Sequence, residues 1–219
     1  MKFLTFGMVL ALAFGCASFV QADENWSPAL DRNNIKVWTR AESGHSVLAF
    51  KGTVVVKSTL SGLIALILDT ANATRWIYRT ESVEILQRDD TKASFVVRVI
   101  TDFPWPLDNR DVVVAGQITQ DPKTSIVTIN SNALPTSQYP ESPGYVRISD
   151  FVGEWIFRPL GNGQVEVTMI GRADPAGHIP SGIVNLIIHD TPYQTLRGLR
   201  RVIGDERYQT AQFPQIREP

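Results

Sequence analysis

The sequence predicts an α+β domain in which a mainly antiparallel sheet wraps around a long C-terminal helix. Segments rich in β-branched and aromatic residues follow one another along most of the chain. Two other segments repeat apolar residues every three or four positions, one early and one near the end. Strands, a helix, more strands and a closing helix are the order of an α+β domain. Neither an internal repeat nor a linker divides the 219 residues, which suit a single domain.

The first two predicted strands form a hairpin. Residues 35–40 and 49–56 have strand composition, and the polar residues 42–46 lie between them. More strands are predicted after the first helix, with turns at Asp121-Pro122 and Gly161-Asn162-Gly163, because glycine and asparagine accept the positive φ of tight turns. These strands cover residues 82–88, 93–101, 112–119, 125–132, 145–157 and 164–172.

Two helices are predicted, one between the strands and one at the end. Ser58 has the side chain of an N-cap, and residues 59–69 carry one broad apolar face. The last helix opens at Pro180, where a missing N–H costs nothing, and Pro192 is expected to kink or split it. Its apolar face is formed by Ile183, Leu186, Ile187, Leu196, Leu199 and Ile203.

The N-terminus has the pattern of a cleaved secretory signal. Lys2 precedes the apolar run 3–14, and small residues lead to Ala22. The run is shorter than the roughly 20 residues of a spanning helix, which argues against a membrane anchor. Cys16 leaves open a lipoprotein signal, although Phe14 stands where such signals use a small residue. The predicted division is a signal peptide over residues 1–22 and one domain over residues 23–219, exported to the periplasm.

The charge balance of the exported chain gives no reason to expect nucleic acid as a partner. Loss of Lys2 leaves 20 Lys and Arg against 22 Asp and Glu, a net charge near −2. Cys16 is the one cysteine and lies within the predicted signal, so residues 23–219 cannot form a disulfide. A packed core must therefore stabilise the domain.

Two motifs carry a family resemblance. Residues 103–112, FPWPLDNRDV, resemble the PWPL-x-NRD signature of START (StAR-related lipid transfer) domains. Residues 173–180, ADPAGHIP, followed by Val184 and Asn185, resemble the DPxGxIP segment that leads into the closing helix of that family. Trp26 and residues 35–38 fall where START domains have an opening helix and a first strand. The resemblance covers the chain from about residue 25 to residue 208.

The resemblance implies a helix-grip fold, in which a curved antiparallel sheet is closed by the C-terminal helix around a tunnel for one lipid. Members of the family are mostly carriers or sensors of sterols, phospholipids or ceramide. The wider superfamily also contains aromatases and cyclases, so the fold alone does not fix the function.

Alternation along the strands predicts which face of the sheet is concave. Phe95, Val97 and Val99 form an all-apolar row, whereas the intervening row contains Arg98. A filled core would show the same rows, and the family resemblance favours a cavity. The predicted cavity residues on the sheet and the closing helix are Phe95, Val97, Val99, Val114, Val167, Met169, Ile183 and Ile187.

The predicted cavity rows carry no charged residue, which indicates a ligand with at most a small polar end. A sterol-like, hopanoid-like or fatty-acyl lipid fits, with its polar end near Arg110 or Arg147. The structural alternative is that the prolines fix residues 105–111, and that Arg110 and Asp111 pair with charges on neighbouring strands. Transient contact with a membrane is compatible with either arrangement.

Catalysis has few candidates in the sequence. His45, His178 and His189 are too scattered for a recognisable metal site, and the common nucleophile, zinc and phosphate-loop motifs do not occur. We therefore predict no catalytic residue, no metal and no cofactor.

Two other functions are compatible with the same residues. The first is a cyclase-like or hydrolytic enzyme that uses Arg98, Asp102 or Glu154 for proton transfer on an apolar substrate. The second is an envelope module that binds a protein partner and has a filled core.

Overall fold

Within the described part of the chain, ten strands form one sheet. The computed structural model describes residues 25–177, 179 and 181–219, and for residues 181, 182 and 185–187 it describes the backbone alone. The helices are α1 (Leu60–Leu68), α2 (Ser181–Val202) and α3 (Glu206–Gln209), with a 3₁₀ helix over Thr70–Arg75. The strands are β1 (Ser27–Arg32), β2 (Ile35–Arg40), β3 (Ala49–Lys57), β4 (Thr80–Asp89), β5 (Ser94–Thr101), β6 (Arg110–Gln120), β7 (Val127–Ala133), β8 (Val146–Arg147), β9 (Phe151–Gly161) and β10 (Gln164–Ala173).

The strand order pairs an early strand with the last one. Neighbours in the order β1-β2-β3-β10-β9-β7-β6-β5-β4 are antiparallel, and β8 lies parallel beside the start of β6. Strands β3 and β4 are consecutive in the chain but separated in the sheet, and α1 with the 3₁₀ helix connects them. The predicted α+β fold, with an antiparallel sheet and a C-terminal helix, is confirmed.

Helix α2 packs across β2 and β3 on one face of the sheet, which we call the inner face. Gly52 of β3 permits the close approach, since a Cβ there would lie 2.8 Å from Leu196 Cδ1 and 3.2 Å from Pro192 Cβ. Leu196 and Leu199 are fully buried in the core. The helix continues through Pro192, so the split that the proline allowed does not occur.

Helix α1 has its N-terminus satisfied by two side chains. Thr59 Oγ1 accepts a hydrogen bond from Gly62 N at 2.9 Å, so Thr59 and not Ser58 is the N-cap. The Glu218 carboxylate accepts hydrogen bonds from the next two free N–H groups, those of Leu60 and Ser61, at 2.9 and 2.8 Å. The predicted apolar face comprised Leu60, Leu63, Ile64, Ile67 and Leu68, of which the first three are fully buried and the last two partly buried. Leu66, outside that face, is fully buried as well.

Two elements differ from the sequence predictions. Where the resemblance implied an opening helix, β1 pairs with β2 through a turn at Asn33 and Asn34, which have φ of 53° and 57°. Two consecutive positive φ values are typical of a tight hairpin turn. The strand predicted over residues 145–157 is two strands, because β8 pairs with β6 whereas β9 pairs with β7 and β10.

Residues 1–22, where the signal peptide is predicted, lie outside the described residues. The signal and the domain boundary at residue 23 therefore stay predictions. Among the described residues, no helix is both long and apolar enough to cross a bilayer.

Candidate ligand-binding cavity

An apolar cavity of about 280 Å³ lies between the inner face of the sheet and α2. Seven strands, from β4 across to β3, contribute side chains to its wall, and α1, the 3₁₀ helix and α2 close it. Most of these side chains are aliphatic or aromatic. Small-molecule pockets are mainly apolar and roughly 300–1,000 Å³ in volume, so the volume of this cavity is just below that range.

Most of the predicted cavity residues meet in this wall. They share one face because alternate residues of a strand point the same way and because Val97 of β5 lies opposite Val114 of β6. Val167 instead is fully buried in the core between Val54 and Phe157, away from the cavity wall. The Ile187 side chain lies outside the described residues. The predicted residues that line the cavity are Phe95, Val97, Val99, Val114, Met169 and Ile183.

Phenylalanine rings stacked over glycines shape part of the wall. A Cβ at Gly116 would lie 2.2 Å from the Phe95 ring, because Phe95 faces Gly116 across β5 and β6. Phe50 covers Gly171 in the same way, with a corresponding distance of 2.9 Å. An aromatic ring of the neighbouring strand therefore fills the space beside each of these glycines.

Charged side chains at the cavity are already paired. The Arg79 guanidinium donates to the Asp102 carboxylate at 2.8 Å and to the Asp102 carbonyl oxygen at 2.7 Å. The Asp102 side chain is 57% exposed, which places this ion pair at the rim. Arg88 reaches the wall because a bulge between Ile85 and Gln87 shifts the alternation of β4, and its Nε lies 2.6 Å from Asp90 Oδ1.

Arg110 lies on the inner face but behind the cavity wall. It is buried, and its guanidinium stacks 4.3 Å from the Phe103 ring centroid and donates to the carbonyl oxygens of Asp108, Pro175 and Ala176. Burial lowers the pKa of Arg110, and the Asp108 charge opposes that shift. The two segments that carry the family resemblance therefore contact each other through this one side chain.

Arg147 points to the outer face of the sheet, together with Asp111. Its Nη2 and Nε donate to Asp111 Oδ2 and Oδ1 at 2.8 and 2.9 Å, and Arg98 Nε donates to Oδ2 at 3.1 Å. Arg147 also donates to the carbonyl oxygens of Tyr139 and Pro140, so it fixes the loop between β7 and β8. Alternation along β6 points Val112 into the cavity and Asp111 to the opposite face. Because Arg147 is paired with Asp111, it also lies on that outer face and does not reach the cavity.

The electrostatics of Asp111 reflect this arrangement. Burial by itself would raise the pKa of its carboxyl, but the hydrogen bonds and charges of Arg147 and Arg98 outweigh burial and hold the pKa below its usual value. The pairing of Asp111 with charges on neighbouring strands is present as predicted. Arg110 differs from that prediction, since it donates to carbonyl oxygens.

Two tryptophans in the wall were missed at the sequence level. Trp76 follows the 3₁₀ helix, and Trp155 lies on β9 in the same row as Phe151. Their rings meet edge to face, with centroids 6.0 Å apart. Alternation along residues 151–157 would have identified Trp155, whereas the short irregular segment around Trp76 has no periodicity from which its direction could be read.

The groups considered for proton transfer are not brought together in the cavity. Arg98 and Glu154 lie on rows that alternate with the cavity-lining residues of β5 and β9, and Asp102 is paired at the rim. His45 pairs with Asp150 outside the cavity at 3.2 Å. Within residues 25–177, 179 and 181–219, no group of three His, Cys, Asp or Glu side chains is arranged to hold a metal ion.

Relatives by sequence include named lipid transfer proteins. A protein of Pseudomonas aeruginosa, described as uncharacterized, is 31% identical over 193 residues, 88% of this chain and 93% of its own length. The mitochondrial StAR-related lipid transfer protein 7 of Mus musculus is 27% identical over 139 residues, which are 63% of this chain but only 37% of that protein. The phosphatidylcholine transfer protein of Bos taurus is 24% identical over 165 residues, 73% of this chain and 75% of that protein.

Solved structures agree with this relationship. A fragment of a STAR-related lipid transfer protein from Xanthomonas axonopodis superposes with a TM-score of 0.74 and 29% identity, covering 81% of this chain and 98% of that chain. The human StAR-related lipid transfer protein 5 gives a TM-score of 0.73 at 17% identity, covering 84% and 88%, and this likeness shows the fold alone. A sequence profile of the START domain matches residues 19–206, most of the chain, and the protein therefore belongs to the START domain family.

Proposed function

We propose that the protein is a periplasmic carrier that binds one lipid with a small neutral polar end in the cavity. A sterol-like, hopanoid-like or fatty-acyl molecule has this character. The observation that carries the proposal is a mainly apolar cavity wall whose charged members already have partners. Burying a lipid there removes its apolar surface from water, at about 25 cal/mol per Å².

Charge pairing supports the choice of a neutral ligand. A zwitterionic head group that leaves water needs counter-charges from the protein. The arginines that line the cavity could supply a counter-charge only by giving up contacts with their present partners. Using Arg79 for a phosphate would require breaking its contacts with Asp102, and using Arg88 would require breaking its contact with Asp90. The related bovine protein is named for phosphatidylcholine transfer, so phosphatidylcholine is the competing ligand to test.

A carrier without chemistry also fits the positions of the titratable groups. General acids and bases must lie within hydrogen-bond reach of the substrate. Arg98 and Glu154 face away from the cavity, and Asp102 is held by Arg79. This arrangement favours a carrier over the cyclase-like or hydrolytic alternative.

Export is the second part of the proposal and rests on Lys2, the apolar run 3–14 and Ala22. The intact mass of the exported protein should correspond to a chain that begins at Asp23. A mature protein that begins at a lipidated Cys16 would contradict a free periplasmic carrier.

Native mass spectrometry of the protein purified from its own envelope tests the ligand. We expect one bound lipid per chain, released unchanged, and displaced by sterols or fatty alcohols at lower concentration than by phosphatidylcholine. Displacement by phosphatidylcholine at far lower concentration would contradict the neutral ligand. Release of a chemically altered lipid would favour the enzyme, and a chain without bound lipid would favour the protein-binding module.

A matched pair of variants ties binding to the cavity. Val99→Trp fills space at the wall, whereas Val55→Trp adds the same ring at a position that is 43% exposed. We expect Val99→Trp to lose at least tenfold in affinity for a fluorescent sterol, and Val55→Trp to bind as the wild type does. Circular dichroism checks that both variants are folded. Unchanged binding by a folded Val99→Trp would place the lipid elsewhere.

A further inference from the structure

Trp155 and the cavity rim lie at opposite ends of the cavity wall. At the rim, Thr101 pairs with Arg110 of β6. Trp155 is aligned with Ile118 of the same strand, through Ile129 on the strand between them. On β6 the two levels are eight residues apart, which is about 26 Å along the strand.

Behind Trp155 the core is closely packed. The next row of side chains along the sheet consists of Val127, Phe157 and Val167, which are all fully buried. The centroid of the Trp155 ring lies 6.3 Å from that of Phe157 and 6.0 Å from that of Trp76. The cavity therefore ends at Trp155, and a ligand cannot extend past this residue without displacing its ring.

A ligand in the cavity can reach the Trp155 side chain. Trp155 lines the wall and remains partly exposed, although α1 packs against the same strand. Its cross-strand neighbours Ile129 and Met169 line the wall as well. The surface that meets a ligand at this end is therefore aromatic and aliphatic.

The two ends of the cavity differ in polarity. At the rim, Asp102 is exposed and pairs with Arg79. Near Trp76, the fully buried Thr195 already accepts a hydrogen bond from the backbone N–H of Tyr78 at 3.2 Å. A lipid hydroxyl would lose its water partners at the buried end and keep them at the rim, so the apolar end of a ligand enters first.

We propose that Trp155 is the end-stop of the cavity and sets the length of the longest lipid that the protein accepts. The end of the apolar chain or ring system rests on the indole ring, and the polar end remains at the rim. This assignment rests on the proposed lipid-binding function and adds a length limit to the ligand class.

A series of straight-chain alcohols from dodecanol to docosanol measures the length limit. Each alcohol displaces a fluorescent sterol from wild type, Trp155→Ala and Met169→Phe, and the affinity ratio of variant to wild type is compared along the series. In the wild type, each methylene that enters the cavity should strengthen binding about fourfold until the chain reaches Trp155, after which the gain stops.

The two variants should move the limit in opposite directions. We expect Trp155→Ala to bind the longest alcohols at least about tenfold better than the wild type does, because two or more further methylenes become buried. The shortest alcohols do not reach the ring and should bind to Trp155→Ala as to the wild type. Met169→Phe adds a ring at the same end and should shift the limit to shorter alcohols.

Trp38→Ala is the matched control, because it removes an indole ring from a partly buried position on the outer face of β2. Its affinity ratio to the wild type should not change with chain length. Circular dichroism checks that each variant is folded.

A folded Trp155→Ala protein with the wild-type length limit would overturn the end-stop. An equal loss of affinity at all lengths would also overturn it and indicate a packing role for the ring. If Trp155→Ala does not fold, Met169→Phe decides, and an unchanged limit in that variant overturns the assignment. Failure of the wild type to bind any of the alcohols would instead contradict the proposed lipid-binding function.

Discussion

The carboxylate of Asp111 joins three strands on the outer face of the sheet. It lies on β6, accepts two hydrogen bonds from Arg147 of β8 and accepts one from Arg98 of β5. Asp111 is fully buried, so both cations depend on it for compensation. Removing one member of such a buried ion-pair group leaves an uncompensated charge and strongly destabilises the fold. Replacing the whole group by apolar residues would cost much less stability.

We expect Asp111→Ala to lower the free energy of unfolding by about 3–5 kcal/mol, because Arg147 stays buried without its partner. Urea denaturation measures the change. The control is Asp31→Ala, which removes an exposed ion pair with Lys36 and should cost less than about 1 kcal/mol. Equal effects of the two substitutions would contradict the role given to Asp111.

The same substitution carries a pH dependence. The folded pKa of Asp111 is lowered, so its contribution is present at neutral pH and is lost as pH falls from the ordinary carboxyl pKa of about 3.9 toward the folded value. The difference in unfolding free energy between wild type and Asp111→Ala should therefore shrink only in that acidic range. A difference that grows on acidification would be inconsistent with this sign.

At the scale of single elements, α1 depends on the far end of the chain. Glu218 accepts hydrogen bonds from Leu60 N and Ser61 N, and a carboxylate at a helix N-terminus also interacts favourably with the helix dipole. Tyr208 anchors the same region by donating to Asp69 at 2.9 Å, and burial, followed by the Asp69 contact, raises the pKa of Tyr208 to about 12.

We expect Glu218→Ala to lower the free energy of unfolding by about 0.5–2 kcal/mol, the usual range for loss of a helix cap. Thermal and urea denaturation measure it. Glu84→Ala, at an exposed position of β4, is the control and should change stability by less than about 0.5 kcal/mol. A Glu218→Ala protein as stable as the wild type would show that Thr59 alone satisfies the helix end.

Strand alternation and helix periodicity predicted most elements because burial of one face imposes a period on the residues. The signals that failed were local. Thr59, not Ser58, caps α1, since either hydroxyl residue fits the pattern and only the geometry selects one. The turn at Asn33 and Asn34 was not predicted, because the family resemblance implied a helix before the first strand and not a hairpin. The bulge after Ile85, which brings Arg88 to the cavity, is invisible to strict alternation.

The cavity was predictable as a surface, but its polar end was not. Alternation correctly assigned Phe95, Val97 and Val99 to the wall, because every second residue of a strand points to the same face of the sheet. The roles of Arg110 and Arg147 depend on carbonyl groups from segments distant in sequence, which no local pattern reveals.

At the scale of the whole molecule, the cavity rim carries an exposed tryptophan. Trp105 is 92% exposed and follows Phe103 and Pro104, which both line the cavity. Tryptophan is favoured at the boundary between lipid and water, because its ring is apolar and its N–H remains hydrated. We propose that Trp105 contacts the bilayer while lipid is exchanged.

We expect Trp105→Ala to slow lipid transfer between vesicles severalfold while leaving the affinity for a lipid supplied without a membrane unchanged. Stopped-flow transfer of a fluorescent sterol measures the rate. Leu160→Ala, at a 49% exposed site beyond the cavity-lining residues of β9, is the control and should transfer at the wild-type rate. Equal rates for wild type and Trp105→Ala would contradict bilayer contact through this loop.

The open edges of the sheet bear on aggregation. Strands β1 and β4 end the strand order, and an exposed edge can pair with another chain and begin a fibril. Bulges interrupt β4 after Thr80 and after Ile85, and a bulge next to Pro28 interrupts β1. Such irregular edges are poor templates for intermolecular pairing. The bulge that turns Arg88 toward the cavity therefore also protects an unclosed sheet against fibril formation.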